Sequence, residues 1–473
     1  MSDTGVPAAP ALSAMPAPTY RLRSHVGGIE WPAIPSPRGA LLLSLLYQLD
    51  KTQWWPAGRL LEHQLAQLSL LLRHAYDTVP FYRQRFDAAR FQPGARLSLA
   101  DFCTLPLLTR RDVQSAGASL FSAAVPAAFG DITETQTSGS TGEPVRLRST
   151  GLDQLLWDAI TVRDHHWHER DLFGTLAAIR VFHHDGGAPP HGTLADDWGA
   201  PTSEIYATGP MALLSLSADV ATQARWLMQH EPDYLITYPT NLAALIAYFG
   251  ARDEHLRRLR AVRTIGETVT AELRAACRDD WGVPLIDLYS SQELGYIALQ
   301  CPVSGQYHVM AESVLVEVID AGGKPCRPGE IGRLVVTKLH NFASPIIRYE
   351  LRDYAEAGAP CPCGRGLPAI ARIVGRSRNL LTLPTGEQRW PVVGFDRYRE
   401  IAPIRQYQLV QRTLHEIEVR FVVDRPLTGD EEERIAAVIR AALGHPYRLS
   451  FNYFAGEIPR GRGGKFEEFM SEL

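Results

Sequence analysis

Thr137-Ser138-Gly139-Ser140-Thr141-Gly142-Glu143-Pro144-Val145 alternates hydroxyls with glycines and closes on Glu-Pro. Glycine lets a backbone turn its N–H groups toward an anion, and the hydroxyls of Ser138, Ser140 and Thr141 add donors without charge. Such a loop suits a triphosphate. No Gly-Lys-Ser/Thr follows, so it is not a Walker A loop. An isolated run of this kind is better explained as a polar surface turn. The ordered alternation and the closing Glu-Pro make this one more specific, and the rest of the chain decides between the two.

Outward from the loop, short strands alternate with helices. Asp153–His166, Asp219–His230 and Asn241–Phe249 have helical patterning. Leu176–Phe182, Tyr234–Thr237, Val262–Ile265 and Leu285–Tyr289 are short apolar strands. This alternation predicts α/β layering. Val314–Asp320 and Gly332–Thr337, split by a turn, predict a β subdomain. A boundary is predicted near Gly375–Leu380, followed by strand Ile417–Val422, helix Glu431–Leu443 and strand Leu449–Tyr453. Upstream, Leu61, Leu65, Leu68 and Leu72 have helical spacing, and Val79-Pro80 ends that pattern. The expected fold is a large N-terminal α/β domain with mixed sheets and a β subdomain over 41–375. A small mobile α+β C-terminal domain over 376–473 and a flexible Pro/Ala-rich segment over 1–40 complete it.

Composition excludes several classes. At 473 residues the chain is too long for one ordinary core. A net charge of −4 gives a nucleic-acid partner no electrostatic support. The apolar run Ala40–Leu49 is too short to span a bilayer. Met1–Tyr20 has no basic stretch followed by an apolar core, so no signal peptide, no membrane partner and a cytoplasmic location are expected.

Further segments stand in order around the loop. They are His74-Ala75-Tyr76 with Val79-Pro80-Phe81-Tyr82, Leu105-Pro106-Leu107-Leu108-Thr109-Arg110, Tyr238-Pro239-Thr240 and Gly266-Glu267-Thr268. After them come Tyr289-Ser290-Ser291-Gln292-Glu293-Leu294-Gly295, Arg348-Tyr349-Glu350-Leu351-Arg352-Asp353, Gly375-Arg376-Ser377-Arg378-Asn379 and Gly463-Gly464-Lys465. Together they resemble the adenylate-forming superfamily of acyl-CoA synthetases, nonribosomal adenylation domains and luciferases. More narrowly they resemble its phenylacetate–CoA ligase and capsule-biosynthesis-type branch.

The resemblance implies roles residue by residue. Thr137, Ser138, Gly139, Ser140, Thr141 and Gly142 would hold the phosphates of ATP, with Thr141 close to the chemistry. Glu293 would hold Mg²⁺, since a hard cation on phosphates needs an anionic oxygen nearby. Gly266 and Glu267 would form the adenine-contacting turn, with Tyr289 near the adenine or the acyl group. Tyr238, Tyr289 and Gly295 would line the acyl pocket. Asp353 would take both ribose hydroxyls, because a carboxylate can accept two hydrogen bonds at once. Arg352 stands where glycine is usual. Arg376 would contact the nucleotide, and Arg378 falls at the pivot of the hinge. Lys465 would steady the charge as carboxylate approaches phosphate. Lysine occurs only at Lys51, Lys324, Lys338 and Lys465, which sharpens that last assignment.

One His and three Cys form a closed set of the kind structural zinc prefers: Cys301, His308, Cys361 and Cys363. The branch often carries Cys, His and Cys-x-Cys in this order; the bland alternative is reduced cysteines with no metal. The stretches His165-His166-Trp167-His168 and His183-His184-Asp185 lack carboxylates in register and are expected to be packing or pocket residues.

The expected function is ATP- and Mg²⁺-dependent activation of a carboxylic acid, aromatic by resemblance, to an acyl-AMP, with transfer to coenzyme A. The alternatives are transfer to an acyl carrier protein or an amine, and, from another class, a zinc-stabilised binding protein without activity.

Overall fold

The computed structural model describes residues 20–94, 96–137, 145–182, 186–376, 380–389, 391, 397–398, 400–459 and 466–473. Ile132–Thr137 (β1) and Val145–Thr150 (β2) pair antiparallel, with Thr137 opposite Val145. The Gly/Ser-rich run therefore joins the arms of a hairpin; Ser138–Pro144 lie outside the described residues, as do His183–Asp185.

The chain then lays down Leu176–Arg180 (β3), Thr193–Ala195 (β4), Met211–Ser215 (β5), Tyr234–Thr237 (β6), Ala261–Thr264 (β7) and Leu285–Ser291 (β8). Gly295–Gln300 (β9), Tyr307–Val309 (β10), Val314–Ile319 (β11), Ile331–Lys338 (β12), Tyr349–Ala357 (β13) and Ala369–Arg376 (β14) follow. All twelve form one sheet, ordered β11-β12-β13-β14-β10-β9-β8-β7-β6-β3-β5-β4. The expected β subdomain is thus continuous with the α/β part. Strand β8 is the junction: it pairs parallel with β7 and antiparallel with β9.

The longer helices are Pro37–Thr52 (α1), Ala57–Thr78 (α2), Gly151–Trp167 (α3), Val220–His230 (α4), Pro239–Gly250 (α5), Ala271–Trp281 (α6) and Gly429–Leu443 (α7). Helices α4, α5 and α6 cover one face of the parallel half and α1 and α3 the other, which is why its strands are almost wholly apolar. Ala177, Leu235, Val262 and Leu285 face one core with Leu227, Leu245 and Phe249 from α4 and α5. Their chain neighbours Leu176, Tyr234, Ala261 and Ile286 face the other, with Leu42 and Leu46 of α1 and Val162 of α3. This is the two-residue alternation of a strand. No described helix is long and apolar enough to cross a membrane.

Leu381–Thr382 (β15) and Gln388–Arg389 (β16) pair just past β14. Ile404–Thr413 (β17), Glu416–Val423 (β18), Arg448–Phe454 (β19) and Phe469–Ser471 (β20) make a separate sheet, ordered β19-β18-β17-β20. Helix α7 closes that domain's own core through Ile435, Ile439 and Leu443. A capping box of Thr428 and Glu431 starts α7, and Gly444 at φ +62° ends it.

Residues 20–40 differ from the flexible segment that composition suggests. Arg23 N–H donates to Ile205 O at 2.8 Å and Ala207 N–H to Arg21 O at 2.9 Å. The Tyr20 ring stacks on His166 at 4.7 Å. Ser36 caps α1 with Pro37 at its first position. Proline-rich chain can still satisfy its remaining backbone groups on a neighbour, and Ser-Pro is a helix start.

Several histidines are buried without charge. Burial holds His166, His168 and His340 at about 4, and His165 well below the usual value. Burial pushes Asp287 the other way, up to about 6. Between pH 6.5 and 4 the unfolded chain therefore binds more protons at the histidines and fewer at Asp287. The histidine contribution is full above pH 6.5 and is lost as the pH falls toward 4. Four groups against one give a slope of up to roughly 4 kcal/mol per pH unit. Urea midpoints should thus fall from pH 7 to pH 5; level midpoints would contradict this burial.

Candidate active site

Three loops leave the parallel strands on the same side. Tyr238-Pro239-Thr240 follows β6, Ile265–Thr268 follows β7, and Gln292–Leu294 follows β8. The carboxyl ends of parallel strands are where open α/β sheets place ligands. These loops line a cleft of about 2350 Å³ together with Thr135 and Gln136 of the hairpin, Asp353 of β13, and Tyr407 and Phe466 of the C-terminal domain. Tyr238, Gly266, Glu267, Tyr289, Glu293, Gly295 and Asp353 all line it, although the sequence scatters them from 238 to 353.

The Tyr289 hydroxyl donates to Asp353 Oδ2 at 2.5 Å, joining the parallel and antiparallel halves. Arg352 has φ +61° and Arg348 φ +50°. The backbone before Asp353 thus keeps the left-handed turn that favours glycine, and arginine adopts it. Asp353 pairs with Arg376 in the β13–β14 register, so Arg376 ends β14 beside the ribose position that the resemblance implies.

Glu293 is held by Arg110 Nη1 at 3.1 Å. Arg110 opens the helix Arg110–Ala116, whose start is fixed by a capping box of Thr109 and Asp112. Sequence reading quoted Arg110 within a motif and gave it no role; its partner lies 183 residues away. Trp157 of α3 was missed as well. It lines the cleft and packs on Tyr296 at 4.2 Å between ring centroids. A Cβ at Gly295 would meet Trp157 at 3.3 Å, and Gly295 has φ +81°, so glycine is needed there for both space and conformation.

Gly266 turns at φ +78° and presents Glu267. The Glu267 carboxylate accepts from Thr240 N–H at 3.0 Å, from the Thr240 hydroxyl at 2.8 Å and from Phe466 N–H at 3.1 Å. Thr137 ends β1 at the mouth of the loop. Ser138, Gly139, Ser140, Thr141 and Gly142 lie outside the described residues, and so does Lys465.

The four-residue metal set converges away from the cleft. The candidate ligand atoms of Cys301, His308, Cys361 and Cys363 all lie within 4.8 Å of one another. Sγ of Cys301 and Cys361 are 3.7 Å apart, and His308 Nε2 is 3.2 Å from Cys363 Sγ. A tetrahedral zinc with Zn–S of about 2.3 Å sets thiolates about 3.8 Å apart, so the donor set fits. Burial holds His308 at about 4, hence neutral and able to ligate. Burial raises the Cys301 thiol while the N–H groups of Ser304 and Val303 lower it, with a net downward shift toward thiolate. The next residues clasp α1: Gly366 N–H donates to Gln53 O at 2.9 Å and Arg365 Nε to Gln53 Oε1 at 2.9 Å.

His165 and His168 are buried beside Asp164, and His166 stacks on Tyr20, so these three pack rather than bind.

No family model matches the chain. Phenylacetate–coenzyme A ligase of Pseudomonas putida is 27% identical over 346 residues, 71% of this chain and 74% of that protein. The enzyme of the same name from Thermus thermophilus is 26% identical over 472 residues, covering 90% of this chain and 99% of its own. Over most of its length the chain is thus similar to phenylacetate–coenzyme A ligases. Among solved structures, 2-hydroxyisobutyryl-CoA ligase in the postadenylation state, in complex with R3-HIB-AMP, matches with TM-score 0.70 at 18% identity. That match covers 89% of this chain and 92% of the other and shows the adenylate-forming fold.

Proposed function

We propose that this chain is an AMP-forming acid–thiol ligase that activates an aromatic carboxylic acid with ATP and passes the acyl group to coenzyme A. The observation that carries this is the convergence, in one cleft, of the Tyr289–Asp353 pair, the Arg110–Glu293 pair and the Gly266–Glu267 turn at adjacent strand ends. In the first step a carboxylate oxygen attacks the α-phosphorus and the bond to pyrophosphate breaks. Asp353, oriented by Tyr289, is set to take the ribose hydroxyls. Glu293, steadied by Arg110, is the oxygen anion available to Mg²⁺, which when bound would offset phosphate charge. The hairpin loop from Thr137 supplies hydroxyl and N–H donors, and Lys465 supplies the cation. In the second step a thiolate attacks the acyl carbon and AMP leaves. Tyr238, Trp157 and Gly295 bound the acyl side with flat or small groups, which suits a planar acid. A cytoplasmic location accords with both co-substrates.

The test is pyrophosphate release across a panel of acids with mass detection of products. If no acid in the panel triggers release, the reading fails. Release without a CoA thioester moves the acceptor to a carrier-protein thiol or an amine.

The Cys/His set is read as a structural zinc site: four protein ligands leave no open position for chemistry. Metal analysis should give about one zinc per chain. Cys361→Ser should lose the metal and lower the Tm by about 5 °C or more, because the loop's hold on Gln53 goes with it. Full-length protein free of zinc with an unchanged Tm would remove the site.

A further inference from the structure

Among the described residues, the carboxylate of Glu267 joins two unlike partners. Oε2 takes the N–H and hydroxyl of Thr240, at 3.0 and 2.8 Å, and so fixes the first turn of α5 next to Tyr238. Oε1 takes the N–H of Phe466 at 3.1 Å, from the other domain and 199 residues away. Phe466 packs within its own domain. Its ring is buried with Val422 and Ile458. The residues behind it are tied to β17: Gln408 Nε2 donates to Glu467 O at 2.8 Å, Leu409 N–H to Glu468 O at 2.8 Å, and the Tyr407 hydroxyl to Glu468 Oε2 at 2.6 Å. One carboxylate therefore spans two well-packed bodies, with a charge-assisted hydrogen bond on each side. The docked amide belongs to the residue after Lys465.

We infer that Glu267 is a positioning residue for the first half-reaction: its carboxylate docks the C-terminal domain on the large domain and ties that docking to α5, which carries the acyl-side Tyr238. This rests on the two-step function proposed above. Each domain keeps its own core without Glu267, so a change there weakens docking rather than folding. Pyrophosphate release with phenylacetate should fall about tenfold in Glu267→Ala, the loss of one hydrogen bond to a charged group. Thioester formation from supplied phenylacetyl-adenylate and coenzyme A should fall by a smaller factor, because the adenine-contacting turn serves both steps whereas the inferred docking serves the first. Glu267→Gln, which keeps one acceptor oxygen, should lie between. An equal fall in both steps, or no fall in the first, overturns the assignment.

A second readout needs no acid. Hydrogen exchange at the Phe466 amide should be slow in the unaltered protein and about tenfold faster in Glu267→Ala, with the Leu409 amide unchanged in both. An unchanged rate at Phe466 overturns the docking role whatever the substrate. If the unaltered protein releases no pyrophosphate with any acid, the two-step function fails, and the exchange result alone decides on Glu267.

Discussion

Lys465→Ala should slow acyl-adenylate formation by about 10²–10³-fold, the range seen when one preorganised charge-stabilising group is lost at a reacting centre. The carboxylate must approach a polyphosphate, and both carry negative charge. Arg110, a cation that lines the cleft, is committed to Glu293. Lys338, a lysine that lines the cleft, is paired with Asp153 at 2.9 Å. Lys465 is the residue that the family resemblance proposes for the attacking oxygen and the α-phosphate. Thioester formation from supplied acyl-adenylate has no polyphosphate to approach, and its rate should change much less. Single-turnover assays of each step separate the two; an equal loss in both would remove Lys465 from the first step. Adding Glu267→Ala to Lys465→Ala should cost little more, because Glu267 acts through the segment that Lys465 begins. Additive losses would mean that the two act independently.

Part of this was legible in the sequence because it is local. A hydroxyl/glycine run, a carboxylate four residues past an aromatic, and an aspartate after Arg-Tyr each carry their chemistry within a few neighbours, and strand ends then gather Tyr289, Glu293 and Asp353 into one cleft. What the sequence hid is what distance joins. Arg110 gains its meaning from Glu293, and Glu267 from Phe466; neither partner is near in the chain. The continuity of the sheet was hidden for a related reason. Strand β8 reads as one more apolar run, and nothing in Leu285–Ser291 says that its two edges pair with opposite sense. The Pro/Ala-rich start misled in the other direction. Composition describes what a segment cannot do alone, whereas residues 20–36 are held by backbone groups of Ile205 and Ala207.

Asp164→Ala should destabilise the large domain by about 3–5 kcal/mol, the cost of removing one partner from a buried ionic cluster. Asp164 is fully buried in the last turn of α3. Its carboxylate takes Arg170 Nη1 at 2.6 Å, lies 3.3 Å from Arg263 Nε, and faces His168 Nε2 at 3.7 Å. Burial opposes its charge, but the two guanidiniums more than offset that and hold the carboxyl well below the usual range. Arg263 comes from β7 and also donates to the Tyr296 hydroxyl of β9 at 2.9 Å, so the cluster ties a helix to both halves of the sheet. Without Asp164, two buried guanidiniums lose the carboxylate that both of them face. Urea unfolding at pH 7.5 reads the loss directly, and a change below about 1 kcal/mol would show that water reaches the cluster. The compensating variant makes the argument sharper. Replacing Asp164, Arg170 and Arg263 together by leucine and methionines removes the stranded charge, so it should recover much of the stability that Asp164→Ala loses. If the triple variant is less stable than Asp164→Ala, the cluster holds the fold by its hydrogen-bond geometry rather than by charge balance.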